Sequence, residues 1–147
     1  DAIRRHLITL GATQVEGMEA DDAIAIEATA NGGFIVSIDK DLDQIPGHHY
    51  NFVKHEEYFV TEEQGLLNFY KQILTGDRVD NIVGIKGIGP VKAHKLLCEC
   101  KTEKEMFDVC VKAYNDAGED GVSRTVENAR LLWLLRAPNQ HYQQPSN

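Results

Sequence analysis

Ile3, Leu7, Ile8 and Leu10 recur at helical spacing and Gly11 stands where a helix would end, so residues 1–10 are expected to be helical. Residues 13–15 are expected to form a short extended piece. In EADDAIAIEATANGG (19–33) acids crowd the first turn, Ala and Ile fill the middle, and Asn31-Gly32-Gly33 closes a second helix. FIVSI (34–38) is a short, β-rich apolar run that fits a buried strand. Helix and strand alternating in this way imply an α/β sheet with parallel pairing. Residues 48–58 are polar and aromatic, and no element is assigned to them.

Thr61-Glu62-Glu63-Gln64 fits a capping box and opens a helix to about residue 74. The character changes at Gly76. GDRVDNIVGIKGIGPVKAHKLL (76–97) carries four glycines in its first fourteen residues, then a helix with Pro90 at its first position. Thr102 and Glu105 form a second capping box for a helix to about residue 115, a Gly-rich loop covers 117–121, and a last helix covers 123–136. Two parts are expected: an α/β part over 1–75 and an all-helical part over 76–147.

Composition narrows the class. With 42% hydrophobic and 26% charged residues in 147, disordered and fibrous chains are excluded, and the length suits one domain, or one with a small appendage. Apolar runs are too short for a membrane span, and no basic segment followed by an apolar one opens the chain. Cys98, Cys100 and Cys110 are odd in number and lack CxxC spacing, which suits reduced, helix-packing thiols in a cytoplasm. A net charge of −8 argues against coating nucleic acid by bulk electrostatics. The chain opens at Asp1, without Met, on a helical pattern already under way, which predicts a processed or truncated chain.

The acids cluster. Glu19, Asp21 and Asp22 start one helix, Asp39 and Asp41 follow directly on FIVSI, and Asp77 and Asp80 stand three apart in a Gly-flanked turn. Sites in parallel α/β sheets lie outside the C-terminal ends of strands, where Asp39 and Asp41 fall. Glu19 and Asp22 share a helical face, as do Asp77 and Asp80 if their turn is helical. Each cluster also has a plain structural reading: a dipole-stabilised helix start, a solvated turn, a turn with a helix cap. Their joint appearance favours one shared site. Carboxylates without cations repel one another unless a hard divalent ion collects them, and an all-oxygen set selects Mg²⁺ or Mn²⁺.

The run Gly84-Ile85-Lys86-Gly87-Ile88-Gly89-Pro90-Val91-Lys92-Ala93 is the second signal. A Gly-hydrophobic-Gly turn entering a helix lets backbone N–H groups approach a phosphate, with Lys86 and Lys92 beside it. The plain alternative is a helix–helix connector. The pattern is characteristic of the helix-hairpin-helix, a sequence-independent binder of the DNA backbone, and no GKS or GKT supports a nucleotide loop. His48, His49 and His55 lack zinc spacing and read as surface or loop histidines. Ser37 and Ser123 lack a nucleophile-elbow setting. Trp133, among leucines, reads as core.

EADD (19–22), IDKDLDQI (38–45), GDRVDNIVGIKGIG (76–89) and NARLLWLLR (128–136) together resemble the 5′ nuclease family: flap endonucleases, phage 5′→3′ exonucleases and the 5′-nuclease domain of bacterial DNA polymerase I. The phage type looks closest, and the resemblance runs from Val15 to Arg136 in the family's order. It implies the C-terminal part of a PIN-like α/β nuclease core over 1–75, followed by a helical DNA-binding region with the helix-hairpin-helix at 80–97. It also implies a cytoplasmic enzyme of a bacterium or phage-infected host, working in DNA replication or repair. Glu19, Asp21, Asp22, Asp39, Asp41, Asp77 and Asp80 match the family's acidic metal-site residues, with Asp22, Asp39 and Asp41 as the expected catalytic set. Gly84, Lys86, Gly87, Ile88, Gly89 and Lys92 match its DNA-binding turn, whose backbone carbonyls can hold K⁺ against a phosphate.

The family's first strand with its Asp, a second Asp-bearing segment and a basic helical arch have no counterpart before Asp1. The chain therefore reads as the C-terminal half or two-thirds of such an enzyme, completed by a further segment or a companion chain. Seven site carboxylates account for −7 of the net −8, so the remainder is near neutral and two bound divalent ions would draw phosphate in. Two functions stay open: a two-metal hydrolase of DNA phosphodiesters, and a non-catalytic piece that binds duplex DNA or a partner. A pure binder gains nothing from seven acids beside a phosphate site.

Overall fold

The structure is a computed structural model that describes residues 2–11 and 17–146. Six helices and two small sheets make up the described chain: α1 (Ala2–Thr9), α2 (Ala20–Asn31), β1 (Phe34–Val36), a 3₁₀ turn (Lys40–Gln44), β2 (Gly47–Asn51), β3 (Glu56–Val60), α3 (Glu62–Thr75), β4 (Gly76–Asp77), β5 (Ile82–Val83), α4 (Pro90–Leu97), α5 (Glu103–Asp116) and α6 (Gly121–Leu132). The expected extended piece at 13–15 lies outside the described residues.

Helix starts follow their caps. Thr61 and Gln64 form the expected reciprocal capping box on α3, Thr102 accepts the Glu105 N–H on α5, and Pro90 opens α4. The last helix departs from expectation at both ends. Asp120 accepts the Ser123 N–H as N-cap, so α6 begins at Gly121, and it ends at Leu132 because the chain turns extended at Trp133.

The first sheet runs β1-β2-β3, with β1 parallel to β2 and β2 antiparallel to β3. The expected buried strand 34–38 is shorter and barer. It spans three residues, and only Ile35 is buried, because Phe34 and Val36 share the open face with His48 and Phe59. The unassigned stretch 48–58 is the β2–β3 hairpin. Its turn forms because the Asn51 side chain accepts the N–H groups of Val53 and Lys54, both at 3.0 Å, and His55 adopts φ 56°. A second correction falls just past residue 76. Asp77 pairs with Ile82 in a two-residue antiparallel ladder, so the second part is not wholly helical, and among the described residues 80–97 hold a single helix, α4.

Two apolar cores result. The larger joins α3 (Phe69, Tyr70, Ile73, Leu74) to α4 (Ala93, Leu97), α5 (Met106, Phe107, Cys110, Tyr114) and α6 (Ala129, Leu132). Each large side chain so buried contributes roughly 1.5–3 kcal/mol. The smaller holds Ala25, Ile35, Leu42, Ile45 and Leu134. Trp133 is half-buried at the edge of the larger core, with its ring edge-on to Phe69 and the Arg136 guanidinium 4.1 Å from its centroid. The two cores are strapped together after α6. Gln44 donates to the Leu132 carbonyl at 3.0 Å and accepts the Leu134 N–H at 2.9 Å, while Arg136 donates to the Gln44 carbonyl at 2.9 Å.

Candidate functional site

Three loops bring the acids together. Where β1 ends, Asp39 caps the 3₁₀ turn: its own N–H donates to the Ser37 hydroxyl and its carboxylate accepts the Asp41 N–H, both at 2.9 Å. That double clamp fixes Asp39 and Asp41 side by side. Asp77 is buried at the end of α3, and one of its oxygens accepts the N–H groups of Val79 at 2.9 Å and Asp80 at 3.3 Å. The turn at 77–80, whose conformation the sequence left open, is therefore an Asx turn, completed by Asn81 at φ 57°. It still places Asp80 beside Asp77. Asp21 enters from the first turn of α2.

Two carboxylate triads follow. Ligand atoms of Asp21, Asp39 and Asp41 lie within 4.8 Å of one another, and so do those of Asp41, Asp77 and Asp80. Asp41 belongs to both. Among the described residues no lysine, arginine or histidine forms an ion pair with any of these five acids. Burial, followed by the charges of Asp39, Asp77 and Asp80, pushes Asp41 up to about 6, although the Gln72 amide donates a hydrogen bond that opposes the rise. Burial and the neighbouring Asp39 also raise Asp21.

Two expected ligands stand beside Asp21 but outside both triads. The Asp22 carboxylate accepts the Leu135 N–H at 2.8 Å, tying α2 to the strap after α6, and Asp22 is in neither triad. The i, i+3 face expected to carry Glu19 with Asp22 is replaced by the neighbouring face that carries Asp21. Glu19 is the N-cap residue of α2 and also stands outside both triads. Gln72 was not foreseen. A glutamine on a helix has no sequence signal for this role, which depends on α3 packing against the 3₁₀ turn.

All-oxygen donors, a shared central carboxylate and no competing cation suit a pair of hard divalent ions. A metal ion held by these triads would need the Asp41 carboxylate, so affinity should rise with pH through about 6 and level off above it. A Mn²⁺ titration should show binding about tenfold weaker at pH 5 than at pH 7. Metal-free stability runs the other way. The folded chain holds the Asp41 proton more tightly than the unfolded chain, so stability falls between about pH 4 and pH 6 as that proton leaves. Equal affinity at both pH values would remove Asp41 from the site.

Beside the acids, residues 75–79 and 81–90 line an open cleft of ≈ 910 Å³ that also takes in Lys40. The expected phosphate-binding residues divide within it. Gly87 (φ 88°) and Gly89 have open space where a Cβ would stand, and Lys86 and Lys92 are exposed. Gly84 and Ile88 serve the fold instead. A Cβ on Gly84 would meet backbone atoms of Leu74, Thr75 and Gly76, while Ile88 packs half-buried on the larger core and its N–H donates to the Ile85 carbonyl at 3.1 Å.

No family model matches the chain. DNA polymerase I of Borreliella burgdorferi is 37% identical over 138 residues, covering 83% of this chain and 15% of that protein. DNA polymerase I of Rhizobium leguminosarum is 41% identical over 132 residues, covering 80% and 13%. A 5′-3′ exonuclease of Aquifex aeolicus is 35% identical over 99 residues, covering 57% and 34%. The chain thus spans about a third or less of the length of these curated relatives. Among solved structures, T5 5′-exonuclease with divalent zinc bound superposes with a TM-score of 0.68 at 20% identity, over 86% of this chain and 55% of that one. A bacteriophage T5 flap endonuclease in a pseudo-enzyme-product complex with DNA and metal ions gives a TM-score of 0.55 at 19% identity, over 89% and 65%. The chain therefore has homologues in DNA polymerase I, in its 5′-3′ exonuclease region, and in a 5′-3′ exonuclease, and it shares the fold of T5 5′-exonuclease over part of that chain.

Proposed function

We propose that this chain carries the metal centre and duplex-gripping turn of a 5′→3′ exonuclease or flap endonuclease that hydrolyses DNA phosphodiesters in replication or repair. The observation that carries the reading is the pair of triads sharing Asp41. Asp21, Asp39 and Asp41 would hold one Mg²⁺ or Mn²⁺, and Asp41, Asp77 and Asp80 the other. Such a pair supplies Lewis-acid activation of water and stabilisation of the leaving oxygen. The residues' own work is to collect the charge. Asp39 and Asp77 are held by backbone N–H groups, Gln72 aims Asp41, and burial keeps the centre poised to exchange protons for metal. Polymerase homologues with a 5′-3′ exonuclease region and a neighbour solved with DNA support the substrate class.

The turn 85–89 would clamp a phosphate of the duplex. Gly89 is the N-cap of α4 and Pro90 has no N–H, so the N–H groups of the next residues face outward. Carbonyls of the turn would hold K⁺ against that phosphate. Recognition is then of the backbone, without base readout. Gly89→Val should weaken duplex binding in Ca²⁺ without changing Ca²⁺ affinity. Lys86→Ala with Lys92→Ala should flatten the slope of log K against log salt by up to about 2. An unchanged slope would make the turn a mere connector.

A second reading, that cleavage needs a further segment or companion chain, is favoured by the open face of the first sheet. Phe34, Val36 and Phe59 there are each more than half exposed. The function is tested on a 5′-flap duplex with the protein that carries this chain. Short 5′ products that appear with Mg²⁺ and vanish with EDTA support it, and no metal-dependent cutting by the full-length protein contradicts it.

A further inference from the structure

Between the acids and the glycine turn lies a second, smaller cleft of ≈ 190 Å³, lined by Lys40, Asp43, Asn68, Lys71, Gln72, Thr75 and Pro90. Its walls locate it. Gln72 is the donor to Asp41, and Pro90 is the first residue after the glycine turn. Lys40 stands between Asp39 and Asp41 in the chain and lines this cleft as well as the larger one. The small cleft therefore borders the residue that bonds Asp41 on one side and the first residue after the glycine turn on the other.

Among the described residues two lysines form ion pairs. On α5, Lys104 pairs with Asp108 and Lys112 with Asp116, each at 2.6 Å. Lys71 is half-buried on α3, yet among the described residues neither it nor Lys40 has an ion pair or a side-chain hydrogen bond. Asp43, the cleft's own acid, accepts the Tyr58 hydroxyl at 2.5 Å and lies 3.8 Å from His49. Asn68 is also committed, donating to the Asp43 carbonyl at 3.0 Å. Five carboxylates stand close by, and neither lysine closes on one. Lys40 is exposed and Lys71 half-buried, and both line the cleft with their charge open to an anion that enters it.

We propose that Lys40 and Lys71 form a separate phosphate site, which holds one linkage of the strand passing from the metal centre to the glycine turn. The site rests on the nuclease reading above. It adds residues outside both the acid clusters and the Gly-x-Gly turn. Its role is to set the path and spacing of the strand between two anchors, since a cation pair reads charge and position but no base.

The test is equilibrium binding of a 5′-flap duplex in Ca²⁺, with a single uncharged methylphosphonate linkage walked along each strand. Wild type, Lys40→Met with Lys71→Met, and Lys86→Met with Lys92→Met are compared; methionine keeps the apolar stems. The Lys40/Lys71 double variant should bind with a log K against log salt slope shallower by up to about 2. One methylphosphonate position that weakens wild type should cost this variant nothing, and that position should differ from the one silenced in the Lys86/Lys92 variant. If the Lys40/Lys71 variant binds and scans like wild type while the Lys86/Lys92 variant weakens, this inference is overturned and the nuclease reading stands. Weaker Ca²⁺ binding in step with weaker DNA binding would also overturn it, because the lysines would then act through the acids. Absence of duplex binding by wild type would overturn both.

Discussion

Gly84→Ala should destabilise the chain by at least about 3 kcal/mol, a fall of roughly 10 °C in Tm. Gly84 passes across the C-terminal end of α3 so closely that any Cβ would overlap the Leu74 oxygen, the Thr75 carbonyl carbon and the Gly76 nitrogen. These are backbone atoms, so no side-chain rotation relieves the overlap. The neighbouring Ile85 N–H donates to the Leu74 carbonyl at 2.8 Å and would be pulled away, leaving buried groups unpaired. The same displacement opens the β4–β5 ladder that positions Asp77. Gly89→Ala is the matched control, because nothing lies within 4 Å of a Cβ there and its φ of −93° suits any residue. Thermal unfolding of the two variants should separate them clearly. Equal Tm values would mean that Gly84 is not packed as described.

Asp41→Asn should lower cleavage by the complete nuclease by at least about 10³-fold while leaving DNA binding close to wild type and the metal-free Tm at neutral pH no lower than wild type. Asp41 is the one carboxylate common to both triads, so its loss weakens both metal sites at once. Lewis-acid stabilisation is worth several kcal/mol, and each 1.36 kcal/mol is a factor of ten. Asparagine keeps the shape and can still meet the Gln72 amide through its carbonyl, so the loss is of charge. Asp22→Ala should behave differently. It removes the acceptor of the Leu135 N–H and so registers in stability ahead of metal affinity. A variant at Asp41 that cuts within tenfold of wild type would place the chemistry elsewhere.

Local signals carried most of the fold. Capping boxes at Thr61 and Thr102, Pro90 at the head of α4, and the glycines after α2 and α3 are short-range devices, and each marks an observed helix end. Pairings between distant segments were less visible. The β2–β3 hairpin hides in GHHYNFVKHEEYFV because its turn depends on the Asn51 side chain in place of an Asn-Gly or Asp-Gly pair, and its charged residues blur the alternation. The acidic clusters were legible as a set from their positions along the chain. Which member of EADD faces the site was not. That choice depends on the strap after α6, where the Leu135 N–H claims Asp22 and Asp21 is left beside Asp39. Gly84 carried a similar ambiguity, since close approach to a phosphate and close approach to the protein's own backbone both demand glycine.

The central claim is one metal centre built on a shared Asp41. Anomalous diffraction from Mn²⁺-soaked crystals near pH 7.5 tests it most directly. The account predicts two ions, each about 2.0–2.4 Å from an Asp41 oxygen, one also contacting Asp21 or Asp39 and the other Asp77 or Asp80. Ions that occupy the acids without touching Asp41, or that gather on Glu19 and Asp22 instead, would contradict it.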